Sequence, residues 1–126
     1  MAEATVVTNK GKVLAIARIN GTGTAPIYVG FGTGGGSRTA AVGDTDLTTI
    51  SGSRILGTPS ITKTTIDNDT HTVTAKFTNT TGNTIVINEI MTFDAASGGN
   101  SCISRTLNGA TLANGDSLTA ICKLKA

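Results

Sequence analysis

The chain has 126 residues, a formal net charge of +2 and 14% charged residues, which suits one folded domain and excludes a disordered acidic or basic segment. Lys and Arg are spread along the chain, so no basic run indicates a nucleic-acid partner. One Tyr, three Phe and no Trp give little for base stacking or sugar binding. No stretch approaches the roughly 20 apolar residues of a membrane span, so we expect no membrane partner.

The N-terminal stretch MAEATVVTNKGK lacks the apolar core of a signal peptide, and we expect a protein that is made and kept in a cytoplasm. We interpret residues 1–8 as a Thr/Val-rich arm and residues 9–126 as a single β domain. No second-domain linker and no internal repeat interrupts the second range.

A short helix is predicted directly after the arm. Val13, Ile16, Ala17 and Asn20 fit a helical stripe, and the stretch is bounded by helix start and stop signals. Thr8 or Asn9 is the candidate N-cap, and Asn20-Gly21 is the candidate stop. The run VLAIARI is also compatible with a strand.

The stretch YVGFGTGGG, residues 28–36, contains the spacing G-x-G-x-x-G at Gly30, Gly32 and Gly35. Phosphate binding by this motif needs a helix that begins at the third glycine. The sequence that follows, GSRTAAVGDTDL, has no apolar periodicity, and no Lys follows the glycines as a P-loop requires. We therefore interpret Ile27 to Val29 as a brief strand that enters a long glycine-rich surface loop.

From about Arg54 onward the pattern is that of strands separated by turns. ITKTTI and HTVTAKFT flank a turn at residues 67–69, TIVINEIMTF forms a mostly apolar strand, and CISRTL and SLTAICKL follow. The fold class predicted is mainly β, an antiparallel β-sandwich or barrel of jelly-roll or immunoglobulin-like type. It carries one short N-terminal helix and a long Gly-rich loop.

The titratable residues provide no catalytic set and no metal site. His71 is the only histidine, and no serine motif accompanies it. Because it follows the turn at residues 67–69 and begins the apolar face of its strand, we expect it to cap a sheet edge. The turn at residues 67–69 lacks the Gly and Glu of an EF-hand loop. One His and two distant Cys are too few for zinc. We expect no catalytic residue, no metal and no cofactor.

Two further positions have open interpretations. Cys102 and Cys122 are expected to lie opposite one another in a hairpin with its tip near Leu112, either as buried thiols or as a cross-strand disulfide. Glu89 falls on the apolar face of its strand. It either meets a subunit boundary or pairs with an Arg such as Arg105, or a bulge turns it outward.

Five stretches in order carry a resemblance: VTNKGK, APIYVGFGTGGG, AVGDTDL, INEIMTFDAASGGN and LANGDSLTAICKL. Together they resemble a family of small tailed-bacteriophage virion proteins over nearly the whole chain. That family commonly has G-T-G after a strand, a later G-D-T-x-L, an acidic strand ending in F-D-A-[AS]-[ST]-G-G, and a closing G-D-[ST]-L. Met91 stands where the family often has Gly, and Phe31 where Trp or Leu is frequent.

The resemblance implies a structural protein of the particle with no catalytic residues. It implies capsid decoration, or cement, in which the chain binds the major capsid protein on the head surface and forms a homotrimer, after synthesis in the host bacterial cytoplasm. The rival implication is a tail, baseplate or head-fibre component with an attachment or receptor-recognition role. The candidate interface residues lie in the arm and the glycine-rich loop: Ala2, Glu3, Ala4, Thr5, Val6, Val7, Gly34, Gly35, Gly36, Ser37 and Arg38.

Overall fold

A computed structural model describes residues 4–34, 38–67 and 70–125. Its elements, in chain order, are β1 (Ala4–Val7), α1 (Asn9–Ile19), β2 (Tyr28–Gly32), β3 (Ile55–Leu56), β4 (Thr58–Thr62), β5 (Thr70–Thr78), β6 (Ile85–Phe93), β7 (Ser101–Leu112) and β8 (Ser117–Lys125). The prediction of a mainly β fold with one short N-terminal helix is confirmed.

The strands form two antiparallel sheets. The larger sheet has the order β1-β7-β6-β2-β3, and the smaller has the order β4-β5-β8. The predicted hairpin around residues 67–69 is present, because Thr62 of β4 pairs with Thr70 of β5. The pairing of β5 with β8 runs without a shift from Thr70↔Lys125 to Thr78↔Ser117.

The main core lies between the two sheets. Val29, Phe31 and Ile87 of the larger sheet pack in one buried cluster with Val73 and Phe77 of the smaller sheet. The rings of Phe31 and Phe77 meet across this layer with their centroids 5.2 Å apart. The inward-facing residues of both sheets thus make a β-sandwich, which alternating apolar positions along each strand specify.

The helix α1 begins and ends where the sequence predicts. The Thr8 hydroxyl accepts a hydrogen bond from the Gly11 N–H at 3.0 Å, and Asn20 closes the helix. Thr8 is therefore the N-cap. The stripe that predicts the helix is not its buried face, however, because Gly11 and Leu14 are the buried residues of the helix.

Close contact with β7 decides which face of α1 is inward. A Cβ atom at position 11 would lie 2.5 Å from the Cys102 carbonyl oxygen, so only glycine lets the helix backbone approach this strand. With Gly11 turned inward, Val13 and Ile16 of the expected stripe point to solvent. The close approach of Gly11 to the β7 backbone, and not the apolar pattern of the helix, thus decides which face of α1 is buried.

The predicted hairpin between the two cysteine strands is also wrong. β7 pairs with β1 and β6, whereas β8 pairs with β5 in the other sheet. The turn after Leu112 therefore carries the chain from one sheet to the other, and the strand sequences are correct but their pairing is not. A two-layer fold contains such corners, and strand periodicity alone does not distinguish them from hairpins.

Part of the predicted N-terminal arm belongs to the domain. Ala4 to Val7 form the edge strand β1, which pairs residue by residue with Thr106 to Ile103 of β7. Thr5, Val6 and Val7 are β-branched residues that suit a strand, and β7 offers an edge to pair with. Residues 1–3 of that arm lie outside the described residues.

Candidate protein interface

The glycines of β2 provide a surface against which another part of the chain packs. A Cβ atom at Gly30 would lie 2.7 Å from Leu47, and one at Gly32 would lie 2.5 Å from Glu89 and 2.8 Å from the Thr49 carbonyl. Residues 38–51, which we call the covering segment, thus lie on the outer face of the larger sheet. The alternate glycines remove the side chains that would hold it away.

This covering segment is fixed by backbone hydrogen bonds. The Thr33 N–H donates to the Thr49 carbonyl at 2.9 Å, and the Ser51 N–H donates to the Phe31 carbonyl at 2.8 Å. Leu47 is buried with Met91 and Phe93 in a second apolar cluster under the segment. Residues 38–54 contain no helix, so the nucleotide-binding interpretation of the glycine spacing has no helix terminus to use.

A buried ionic cluster anchors the covering segment to the sheet. Glu89 is fully buried, and its carboxylate accepts hydrogen bonds from the Arg38 guanidinium at 3.0 Å and from the Thr49 N–H at 3.0 Å. Arg38 also pairs with Asp44. The pairing predicted for Glu89 therefore exists, with Arg38 as the partner in place of Arg105.

Asp44 is held in its ionised form by this cluster. Burial raises the pKa of Asp44, but hydrogen bonds from Ser104 and Ala41, together with Arg38, outweigh it and hold the pKa below its usual 3.8. The Ser104 hydroxyl donates to the carboxylate at 2.6 Å. Asp44 thus joins the covering segment to β7, just as Glu89 joins it to β6.

The register of β6 explains how a carboxylate occupies this strand. The pairing with β7 is irregular between Ile87 and Glu89. Ile87 packs in the main core, whereas Met91 and Phe93 belong to the cluster on the opposite face. The irregularity turns Glu89 away from the main core, as the bulge hypothesis predicted. The side chain then meets Arg38 and not solvent.

The structure separates the predicted interface residues into three groups. Ala4, Thr5, Val6 and Val7 form β1, where Thr5 is exposed and the other three are half-buried. Gly34 packs on Thr49, and Arg38 points into the ionic cluster, so both serve internal contacts. The predicted residues Ala2, Glu3, Gly35, Gly36 and Ser37 lie outside the described residues.

Cys102 and Cys122 are free, buried thiols. They lie in different sheets and both belong to the main core, so a cross-strand disulfide within one ladder is not formed. Burial raises the pKa of each thiol to about 11. Thiols with such pKa values are poor nucleophiles at neutral pH, and the interpretation of both cysteines as small buried hydrophobes is confirmed.

His71 is half-buried on the central strand of the smaller sheet, and not at a sheet edge as expected. Its Nε2 is buried and has no hydrogen-bond partner among the described residues. His71 lines a pocket of about 330 Å³ between α1 and the end of β8, together with Leu14, Ile19 and Leu124. The lining is mostly apolar, and Arg18 and His71 supply the few polar side chains that could orient a ligand there.

The outer face of α1 is an exposed apolar ridge, which we define as Val13, Ile16 and Ile19. These side chains are 69%, 61% and 79% exposed, and their spacing of three residues places them on one side of the helix. Lys10, Lys12 and Arg18 are also exposed. The helical stripe in the sequence contains Val13 and Ile16 of this ridge but not Ile19, and it does not show which side of the helix is buried. Gly11 is the signal that shows it.

Among residues 4–34, 38–67 and 70–125, no group of three or more His, Cys, Asp or Glu side chains is arranged to hold a metal ion. Within the same ranges, no helix has the length and apolar character needed to cross a membrane. Comparison with protein-family models, with curated proteins and with solved structures found no match to this chain. The class supported by the structure is therefore an antiparallel β-sandwich with one exposed amphipathic helix.

Proposed function

We propose that the chain is a structural protein of a bacteriophage virion that decorates the outer surface of the head shell and stabilises it by binding the major capsid protein. The resemblance of five ordered sequence stretches supports this assignment. The structural observation that carries it is the apolar ridge on α1. In this proposal the chain is not an enzyme, and it binds no cofactor, nucleic acid or membrane.

The ridge has the composition of a protein-binding surface. Three adjacent β-branched side chains are exposed on one helix face, and they have restricted rotamers, so little side-chain entropy is lost when a partner covers them. Burying each one is worth ~1.5–3 kcal/mol. Such a surface fits an apolar groove on another protein, in the manner of a helix bound along its i, i+3 face.

The charges around the ridge indicate the chemistry of the partner. Helix α1 carries Lys10, Lys12 and Arg18, and its first turn has no acidic residue. A groove with acidic residues at its rim would complement this helix and would exclude basic partners. We therefore infer that the capsid surface bound by α1 is apolar at its centre and acidic at its margin.

A shell multiplies the effect of such a contact. An interface of modest size gives a weak bond for one copy, but a copy that bridges two coat subunits gains from the high effective concentration of the second site. The decorated lattice is then held by many equivalent contacts. The stabilisation of the particle grows with occupancy, which is what a cement protein needs.

The experiment compares purified protein variants for binding to capsids that lack this protein. Ile16→Asp places a charge in the ridge, and Ile61→Asp on β4 is a matched control because Ile61 is 67% exposed and lies in the smaller sheet. We expect Ile16→Asp to reduce capsid occupancy roughly tenfold or more, since ~1.4 kcal/mol corresponds to tenfold. The control variant should bind as the wild type does. Equal occupancy for all three proteins would contradict the proposal that α1 is the docking element.

A further inference from the structure

We infer that a second copy of this chain pairs with β8, so that two smaller sheets join into one continuous six-stranded sheet across a two-fold axis. β8 is an edge of its sheet in the described part of the chain, and it spans nine residues. In an antiparallel sheet, the backbone N–H and C=O groups on the free side of an edge strand are available to another strand.

The edges of the two sheets differ in how well they are protected. β1 has four residues and β3 has two. β4 contains Pro59, which cannot donate a hydrogen bond. β8 has no proline, and its pairing with β5 is free of bulges. β8 is therefore a long and regular edge strand, of the kind that proteins usually protect from pairing with another chain.

The sequence of β8 is complementary to itself in one antiparallel register. When the strand is centred on Ile121, residues 117–125 overlap over their full length. Leu118 then lies opposite Leu124, and Ala120 lies opposite Cys122, on the core side of the sheet. Lys123 lies opposite Thr119 on the outer side, so no like charges oppose each other.

The exposure of these residues favours a second copy over an unrelated strand. Leu118 and Leu124 pack on the edge of the main core but are only partly buried. The pairing places Leu118 of one copy against Leu124 of the other. Ile121 is 53% exposed, and its own copy faces it at the two-fold axis. A single strand sequence thus supplies both halves of the contact, as an isologous interface requires.

This inference concerns the isolated chain and does not depend on the proposed capsid role. It replaces the homotrimer that the family resemblance implies with a dimer, because pairing of one edge with itself closes with two copies. In this arrangement the smaller sheet of each copy is extended by the strands of the other.

Two measurements test the pairing. Light scattering coupled to gel filtration should give a dimer mass for the wild type and for Ile61→Lys, and a monomer mass for Ile121→Lys, in which two ammonium groups oppose each other at the axis. Circular dichroism of each variant checks that it is folded. A monomer or trimer mass for the wild type would overturn the inference.

Oxidative cross-linking tests the register itself and does not rely on disrupting the fold. Ile121→Cys places two thiols opposite each other at the axis. Oxidation should therefore give a disulfide-linked dimer that is seen on a non-reducing gel and disappears when reductant is added. Ile61→Cys is the control, at an exposed position of the other edge strand. Cross-linking of Ile121→Cys no faster than that of the control would show that β8 does not pair in this register.

Discussion

Single glycines decide two features that sequence patterns do not specify. Gly11 turns α1 so that its apolar stripe faces outward, because a side chain there would overlap the Cys102 backbone. Gly32 makes room for the Glu89 carboxylate and the Thr49 carbonyl. Both effects depend on distances between parts of the chain that are far apart in sequence, so motif spacing could not reveal them. Gly30 and Gly32 of the G-x-G-x-x-G match serve packing, whereas Gly35 lies outside the described residues.

Gly32→Ala tests the packing role of the glycines. The new Cβ atom would lie 2.5 Å from the Glu89 carboxylate, and this overpacking should cost about 1–3 kcal/mol in the free energy of unfolding. Gly43→Ala is the control, because a Cβ atom at position 43 meets nothing within 4 Å. Urea denaturation of both variants measures the difference. Equal stability of the two would mean that the covering segment is not held against β2.

Asp44→Asn tests the ionic cluster through its pH dependence. The folded-state pKa of Asp44 is lowered, so its contribution to stability is complete above the usual carboxyl pKa of 3.8 and is lost as the pH falls through the folded value. Near neutral pH we expect the variant to be less stable by about 1–3 kcal/mol, since bonds to a charged group are lost.

The same comparison made as a function of pH isolates Asp44 from other carboxylates. The stability difference between wild type and Asp44→Asn should narrow once the pH falls below 3.8. Asp67→Asn is the control, because the Asp67 side chain is 87% exposed and should change stability little at any pH. A difference for Asp44→Asn that stays constant down to low pH would refute the charged role of this carboxylate.

At the scale of elements, strands and the helix could be predicted well, whereas their partners could not. The alternation in β5 and the capping residues of α1 are local signals, and both elements form where those signals place them. The turn after Leu112 has the same local chemistry whether it joins two strands of one sheet or crosses between sheets. Only packing of the whole core selects the crossing. Sequence periodicity therefore could not show that β7 and β8 belong to different sheets.

Deletion of residues 1–7 tests how far the N-terminal segment belongs to the domain. The segment was interpreted as an arm outside the β domain, but Ala4 to Val7 form β1 and pair with β7. Removing this strand exposes the β7 edge and the Thr8 cap of α1, so we expect a lower thermal midpoint than for the full chain. A variant without residues 1–3 keeps β1 and is the control. A midpoint unchanged by the longer deletion would show that β1 adds no stability.

For the whole molecule, the fold class followed from composition and from strand spacing, because few charges with many Thr and Gly residues suit short strands and tight turns. The interface did not follow in the same way. The predicted interface residues that the structure describes all serve β1 or internal packing, whereas the ridge on α1 was not among the predicted interface residues. An exposed apolar face is visible only once the buried face of the helix is known.

The proposed role of the chain, decoration of the head of a virion, is tested most directly by its copy number per particle. Quantitative mass spectrometry of purified virions, assembled from the genome that encodes the chain, gives its ratio to the major capsid protein. We predict a fixed ratio of the same order as that of the capsid protein itself, because decoration repeats at equivalent lattice positions. A ratio that is a small fraction of this value would place the protein in the tail or a fibre, and absence from the particle would contradict the claim altogether.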